Sequence, residues 1–522
     1  MSWSIQDTFG SLARYLQNGG VFSSLFLYVI IAAFIGFLST SVSPHGPEEG
    51  FVYDIGGFSI FNAWKFFTKR YDFVQAGFRK SGGRTFQFKV LQHRIIAMAG
   101  EASRKAFFNE PGLSFSEGYK ILLGGAPQSK DIVRTGEEIP SDVEEAEFVK
   151  QVSSLVRRDR LEPAIPLLLE DLHTRLTNDW GHKCRIEPFK YVREAIFQMT
   201  VRLSSCQELA EDRKSIDDLM ASYSALERSA TPVSQLLPWF PGPAKKSREK
   251  ATTKLFTILH KFVMLRRHAS STTTDAIDVL IGKGHGDQSI IGTIMKTLFA
   301  GVSTTSAIAS WTLLRLASNQ RWKHKSIEEY KALVERHSTT PARSGLQKRL
   351  SDVPLTAWEE ELPSTDLVIR ETIRLTSAGS IIRRNMQNDI TVDGAIVRRG
   401  NFVTYQVADA HLNPEIYPDP LRFDPERFVH GREEDQREAF GFVGWGAGRH
   451  PCVGMRAAKL EIKLLLGLIL LGYEYELVDE SGNHPKELPV PDKNDNHQAG
   501  CIYLSALPLG GPYFLKLTRV VD

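Results

Sequence analysis

A chain of 522 residues, 42% apolar and 24% charged, can bury a large core, and its length allows two domains or one large one. A formal charge of +3 is too mild to argue for a nucleic-acid partner, and no zinc-knuckle spacing, arginine-rich tract or internal repeat is present. Four widely spaced cysteines, Cys184, Cys206, Cys452 and Cys501, make no disulfide framework, which points to a reducing compartment for most of the chain.

After a polar start (residues 1–20), Val21–Val42 runs without a charge, long enough to cross a bilayer core of about 30 Å. The competing reading is a cleaved signal peptide; against it stand the length of the run and the lack of a basic start. Arg14 before the run, and Lys65, Lys69 and Arg70 well after it, settle the orientation poorly. Residues 43–50, with Pro44, Gly46, Pro47 and Gly50, read as a stiff connector. Residues 51–522 then read as one mainly helical domain with small β-sheets. Amphipathic stretches lie around Gln92–Phe108, Glu147–Trp180, Lys250–His268 and Gln288–Asn319. Short β-rich pieces fall at Ile390–Val397, at Asn401–Tyr405 and near the C-terminus, and the polar stretch His337–Pro363 reads as a surface connection.

Leu236-Leu237-Pro238-Trp239-Phe240-Pro241-Gly242-Pro243 is an apolar, Pro-broken loop followed by Lys245, Lys246 and Arg248. It suits a loop dipping into a membrane with its cations at the headgroups, or an ordinary buried turn. The stretch between Lys296 and Arg315 holds no charge and could imitate a second span, but its many Ser and Thr hydroxyls fit a buried helix lining a cavity better. Within it lies Ala300-Gly301-Val302-Ser303-Thr304-Thr305. The Thr304 hydroxyl can bond a small ligand or a water, although Ser and Thr in buried helices also bond the carbonyl four residues back.

Glu371-Thr372-Ile373-Arg374 places an acid and a base on one helix face. The same spacing in Glu101…Arg104 and Glu434…Arg437 reads as solvated helix face. Only Glu371 has apolar neighbours (Leu367, Val368, Ile373, Leu375) and Pro425-Glu426-Arg427-Phe428 downstream. The strongest signal is Gly444-Trp445-Gly446-Ala447-Gly448-Arg449-His450-Pro451-Cys452-Val453-Gly454, followed by a helical run from Met455 to Leu471. The glycines, Gly446 among them, let the backbone turn tightly and approach a flat cofactor. A cysteine beside a helix N-terminus is biased toward thiolate. A buried core cysteine beside a Gly-rich turn is the plainer alternative.

This loop resembles the haem-binding loop of cytochromes P450, whose pattern is Phe-x-x-Gly-x-Arg-x-Cys-x-Gly. Gly448, Cys452 and Gly454 match, while Trp445 replaces the Phe and His450 the Arg. The histidine resembles the sterol 14α-demethylase group, and the tryptophan the branch containing prostacyclin synthase. The resemblance implies the P450 fold, a single large haem domain behind one N-terminal transmembrane helix, with haem b whose iron is held by Cys452. Trp445 would lie over the sulfur, and His450 would donate to a haem propionate as a weaker partner than Arg. Arg383 in Ser380-Ile381-Ile382-Arg383, rather than Arg384, would meet a propionate, as would Tyr119. Glu371, Arg374 and Arg427 would form the family's structural triad. Gly301, Ser303 and Thr304 correspond to Ala-Gly-x-Asp/Glu-Thr, with Ser303 where the family carries an acid; serine can pass a proton but supplies none at neutral pH.

The implied activity is insertion of one atom of O2 into a lipophilic sterol, terpenoid or polyketide, in a pattern like fungal secondary metabolism (Trp445 and Leu412–Pro420). Electrons would come from NADPH through cytochrome P450 reductase, with cytochrome b5 as a further donor. The site would be the endoplasmic-reticulum membrane, single-pass, with the catalytic domain cytosolic. Arg449, Arg456, Lys459 and Lys463 would give the cysteine side a basic surface for an acidic electron donor, or be a solvated helix face. Two rivals remain: an isomerase or dehydratase of the same fold acting on a peroxide without reductase, toward which Trp445 and Ser303 lean, and a non-enzymatic haem sensor or carrier.

Overall fold

The computed structural model describes residues 42–43, 52–122, 141–180, 185–236, 241–269, 275–494 and 507–520. The expected membrane segment lies outside these apart from Val42, which with Ser43 pairs antiparallel with Gly57–Phe58. Residues 44–50, Leu237–Phe240, Cys184 and Cys501 also lie outside the described residues.

The helices that position the site are α1 (Ser59–Thr68), α2 (Gly100–Asn109), α3 (Phe115–Leu122), α4 (Ser141–Leu155), α5 (Arg158–Arg175), α6 (Pro188–Ser204), α7 (Arg213–Arg228), α8 (Pro243–Arg267), α9 (Asp287–Ala317), α10 (Gln320–His337), α11 (Pro363–Thr376) and α12 (Met455–Gly472). Six strands form the main sheet: β1 (Tyr53–Asp54), β2 (Phe86–Val90), β3 (His93–Met98), β4 (Leu113–Ser114), β5 (Ser380–Asn385) and β6 (Phe402–Gln406). Their spatial order is β1-β2-β3-β6-β5-β4. β3 and β6 run parallel with Phe402 opposite Ile95, and β6 runs antiparallel to β5 with Val403 opposite Arg383.

α9 is the axis of the molecule. Its 31 residues span about 46 Å at 1.5 Å per residue and pack on α6, α8, α11 and α12. The hydroxyls that punctuate its apolar sequence are satisfied inside the helix: Ser310 donates to the Ser306 carbonyl at 2.8 Å and Thr312 to that of Ile308 at 2.7 Å. That removes the cost of burying them and accounts for a charge-free helix that belongs to the core. α12 is apolar on all sides from Leu464 to Leu470, as a fully enclosed helix must be.

Several sequence expectations are corrected. Gln92–Phe108 divides into β3, whose last four residues are all buried, and α2, because a fully buried strand reads as an unbroken apolar run. Glu147–Trp180 is two helices parted at 156–157, ending in a π-turn at Leu176–Trp180. His337–Pro363 is not purely surface: it carries two short helices whose Leu350, Leu355 and Trp358, with Leu362 beyond them, enter the main core. The stretch between Lys296 and Arg315 is buried, as a core helix is.

Candidate functional site

Cys452 sits at the end of a small hairpin. Gly446–Ala447 pairs antiparallel with His450–Pro451, and the chain reverses at Gly448–Arg449. Gly446 and Gly448 have φ of +70° and +57°, and a Cβ on either would come within 2.3 Å of a carbonyl oxygen, that of His450 or of Phe108. Neither position tolerates a side chain. The Arg449 amide donates to Phe108 O at 3.1 Å, seating the hairpin on α2, and the Cys452 amide donates to Trp445 O at 2.7 Å. The Cys452 side chain itself is exposed.

Backbone N–H groups of Gly454 and Met455 do favour the thiolate, but burial of the sulfur's surroundings outweighs them and raises the thiol above its ordinary value.

Behind the hairpin lies a buried ionic network. Arg374 on α11 grips Glu371 with two bonds, Nε at 2.7 Å and Nη2 at 2.8 Å, and Arg427 Nε reaches the same carboxylate at 3.3 Å. The remaining donors are used on carbonyls: Arg374 on His411 at 2.6 Å, Arg427 on Pro418 at 2.6 Å and on Asp419 at 2.7 Å. Burial pushes Glu371 upward against the pull of Arg374. Of two pairs read as solvated from the sequence, one member each, Arg104 and Glu434, is buried, while Glu101 and Arg437 remain accessible. Glu434 is buried and accepts from Arg427 at 2.7 Å. Arg104 is fully buried and donates to Ala439 O at 2.9 Å, with Glu438 and Asp409 as counter-ions, while Glu101 accepts from the Ala439 amide at 3.0 Å. Both grip the segment entering the cysteine hairpin.

Sequence reasoning also missed His411. Its Nε2 accepts from the Val443 amide and its Nδ1 faces Ser377 O, each at 3.0 Å, an arrangement that needs the neutral ring with the proton on Nδ1. Burial, then the Arg374 charge, pushes its pKa down to about 3.

On α9 the two hydroxyls of the motif part company. Ala300, Gly301 and Thr304 share an accessible face in the middle of an otherwise enclosed helix. Thr304 bonds its hydroxyl to the Ala300 carbonyl at 3.0 Å. Ser303 is buried on the side of α7, where it donates to Glu227 at 2.5 Å. A Cβ on Gly301 would meet Thr200 of α6 at 3.3 Å, so this glycine serves helix approach as well as access.

Arg383 on β5 is buried, with its guanidinium 4.7 Å from the Phe107 ring centroid. One Nη donates to Phe107 O at 2.7 Å, while Nε has no partner among the described residues. Among the described residues no carboxylate pairs with it, and burial lowers its pKa to about 10. Its neighbour Arg384 bonds Gly400 O and Glu117. Tyr119 is buried and feels both Arg383 and Arg70, and burial pushes its phenol far upward. The Arg70 Nη2 is likewise buried without a partner among the described residues. Nothing in the sequence singles out Arg70. His450 Nδ1 lies 2.9 Å from Glu145 on α4, which also accepts from Ser116. Burial raises the Glu145 carboxyl, but those two bonds outweigh it and leave it lowered. The expected His450 donor thus already has an anionic partner at Nδ1.

A haem fits this donor set: a sulfur on a cradle closed to side chains, and buried guanidinium N–H groups lacking an anion, next to a phenol. Cys452 would hold the iron, and Arg383, with Tyr119 and Arg70 beside it, the propionates.

The basic surface is weaker than expected. Lys463 is buried against Trp358 O and Asp366, Lys459 pairs with Asp366 at 2.9 Å and Arg456 with Glu359 at 2.7 Å.

The family profile described as Cytochrome P450 matches residues 58–497. "Cytochrome P450 monooxygenase AacuE" of Aspergillus aculeatus is 29% identical over 81% of this chain and 85% of its own length. "Cytochrome P450 monooxygenase dmxR5" of Cryptosporiopsis is 27% identical over 90% of this chain and 92% of its own. "Obtusifoliol 14-alpha demethylase" of Triticum aestivum is 26% identical over 76% of this chain and 86% of its own. The solved structure "Retinoic acid bound cyanobacterial CYP120A1" superposes with a TM-score of 0.68 at 19% identity, covering 88% of this chain and 96% of that one.

Proposed function

The chain belongs to the cytochrome P450 family, and from that premise we propose that this haem-thiolate monooxygenase oxidises a sterol-sized or polyketide-like lipophilic substrate in fungal secondary metabolism. Similarity to monooxygenases of Aspergillus and Cryptosporiopsis and to a plant sterol demethylase supports that class of substrate. The observation that carries the reaction type is Cys452 on a glycine-closed hairpin, locked from behind by Glu371, Arg374 and Arg427.

Haem, once bound, supplies the activation of dioxygen; the protein supplies the rest. Cys452 gives the sulfur ligand, while Trp445 carries the carbonyl that fixes the cysteine amide. Arg383 and Tyr119 would hold the propionate carboxylates. The enclosed α9 keeps bulk water away, and its accessible face presents Gly301 and the Thr304 hydroxyl. Ser303 and Thr304 hold protons at adjacent positions on either side of the helix surface. One oxygen atom enters the substrate and the other leaves as water, with two electrons and two protons consumed.

Electrons come, in this reading, from NADPH through a cytochrome P450 reductase, with cytochrome b5 as a further donor. The site is the cytosolic face of the endoplasmic-reticulum membrane, anchored by residues 21–42. The exposed apolar face of α1, where Phe61 is 63% and Trp64 50% accessible, supports contact with a bilayer beside that segment. The reductase-independent isomerase is the second reading, favoured by Trp445 and by the serine at position 303. An incubation of the membrane-bound enzyme with reductase, NADPH, isotopically heavy O2 and a lipophilic host extract separates the two. Label entering a product only with reductase supports the monooxygenase; an unlabelled product formed equally well without reductase overturns it.

A further inference from the structure

The chain carries Ser303 where the family pattern Ala-Gly-x-Asp/Glu-Thr has an acid, yet a carboxylate stands beside it. Glu227, from α7, is 5% exposed and accepts a 2.5 Å bond from Ser303 Oγ. Tyr223, one turn earlier on α7, donates to the same Oε1 at 2.7 Å and lies 2.9 Å from Ser303 Oγ. The other oxygen, Oε2, is paired with Arg193 of α6. The Arg193 side chain is 26% accessible against 4% for that of Glu227, so the cluster runs from the outside inward to Ser303. Phe197 and Phe299 close over the Tyr223 ring, at 5.6 and 4.9 Å between centroids, and shield the inner end.

We propose that Glu227, reaching Ser303 from a neighbouring helix, is the carboxylate of the proton path to the Thr304 face of α9, replacing the acid that α9 itself does not carry. The inference rests on the monooxygenase reading, which needs two protons for each oxygen atom inserted. The step balances simply. A solvent proton, arriving as hydronium at the Arg193 edge and leaving water behind, protonates Glu227, and the carboxyl gives that proton to Ser303 Oγ. The serine hydroxyl releases its own proton toward the Thr304 side at the same time. Ser303 ends neutral, and Glu227 ends as a carboxylate facing Arg193. Serine alone has no proton to spare at neutral pH; serine backed by a carboxylate with a route to water does. A purely mechanical brace between α6 and α7 would be complete with the Arg193 pair and would have no need of Ser303.

The test uses the full-length, haem-loaded, membrane-bound enzyme with reductase, NADPH and the substrate found by heavy-oxygen labelling. Glu227→Gln and Ser303→Ala should each lower product formed per NADPH by roughly a hundredfold, the low end for a positioned acid or base. The lost electrons should appear as hydrogen peroxide, and the solvent deuterium isotope effect should rise. The double variant should be no worse than either single one, because both remove the same path. Glu227→Asp should recover more turnover than Glu227→Gln. Ser303→Ala leaves the Arg193–Glu227 pair intact, so the experiment stands even if Glu227→Gln folds poorly. A readout free of turnover is infrared titration of the resting protein: a carboxyl band absent in Glu227→Gln should shift in Ser303→Ala. Wild-type coupling and isotope effect in Ser303→Ala, or a Glu227 band indifferent to Ser303, would overturn the proposal. Failure of label to enter product in the wild type would instead strike the monooxygenase reading, and the infrared shift would still report the Glu227–Ser303 link.

Discussion

Glu461 on α12 is a carboxylic acid inside the core with one hydroxyl, that of Thr200, as its partner at 3.1 Å. Burial raises its pKa from 4.5 to about 8, and the Thr200 bond offsets only part of that. The folded protein therefore binds one more proton than the unfolded chain between pH 4.5 and about 8. Stability contributed by this group is full below the unfolded value and is lost as pH rises through the folded one, with a limiting slope of about 1.4 kcal/mol per pH unit. From pH 6 to 8 the loss is on the order of 2 kcal/mol, a substantial part of an ordinary folding free energy. Glu461→Gln keeps the shape and the hydrogen bond to Thr200 but cannot ionise. Urea unfolding of the haem-loaded wild type and variant, followed by circular dichroism at pH 6 and 8, should show the wild type losing more stability across that span. Parallel losses would refute the reasoning, because Glu461 would then not be a neutral buried acid.

His411 works in the opposite direction. Its folded pKa, lowered to about 3, makes the unfolded chain the better proton binder below pH 6.5, so stability drops as pH falls from there toward 3. His411→Gln should flatten that acid limb in unfolding curves measured between pH 4 and 6.5. Glu371→Ala leaves the buried Arg374 guanidinium without its carboxylate, while Arg427 keeps Glu434, and should cost about 3–5 kcal/mol, read as lost haem retention and a lowered unfolding midpoint. Arg383→Ala removes the buried cation that has no carboxylate of its own; the variant should fold and release haem faster to an apomyoglobin acceptor than the wild type does.

The sequence made the chemistry legible where a motif fixes geometry. Gly446, Gly448 and Cys452 stand as the spacing requires, and Glu371 with Arg374 shares one face of α11, joined by Arg427 from beyond the next strands. It was also right about α9, because seven hydroxyls in a charge-free run fit a buried helix better than a membrane span. It failed where one spacing serves two environments. Glu101…Arg104 and Glu434…Arg437 look like solvated helix pairs, yet Arg104 and Glu434 are buried by segments hundreds of residues away or folded back on them. Glu227 was unreadable for the same reason: only the packing of α7 on α6 and α8, which themselves pack on α9, brings it to Ser303. Trp358 and Leu362 sit in a polar-looking stretch, and their burial follows from α5 and α12 closing over it.

The most direct measurement is the carbon monoxide difference spectrum of the reduced, haem-loaded protein, taken for the wild type and for Cys452→Ser. A thiolate-type band in the wild type that vanishes in Cys452→Ser, with haem still bound, is the expected result. The same band persisting in Cys452→Ser would mean that another residue ligates the iron, and the site described around Cys452 would be wrong.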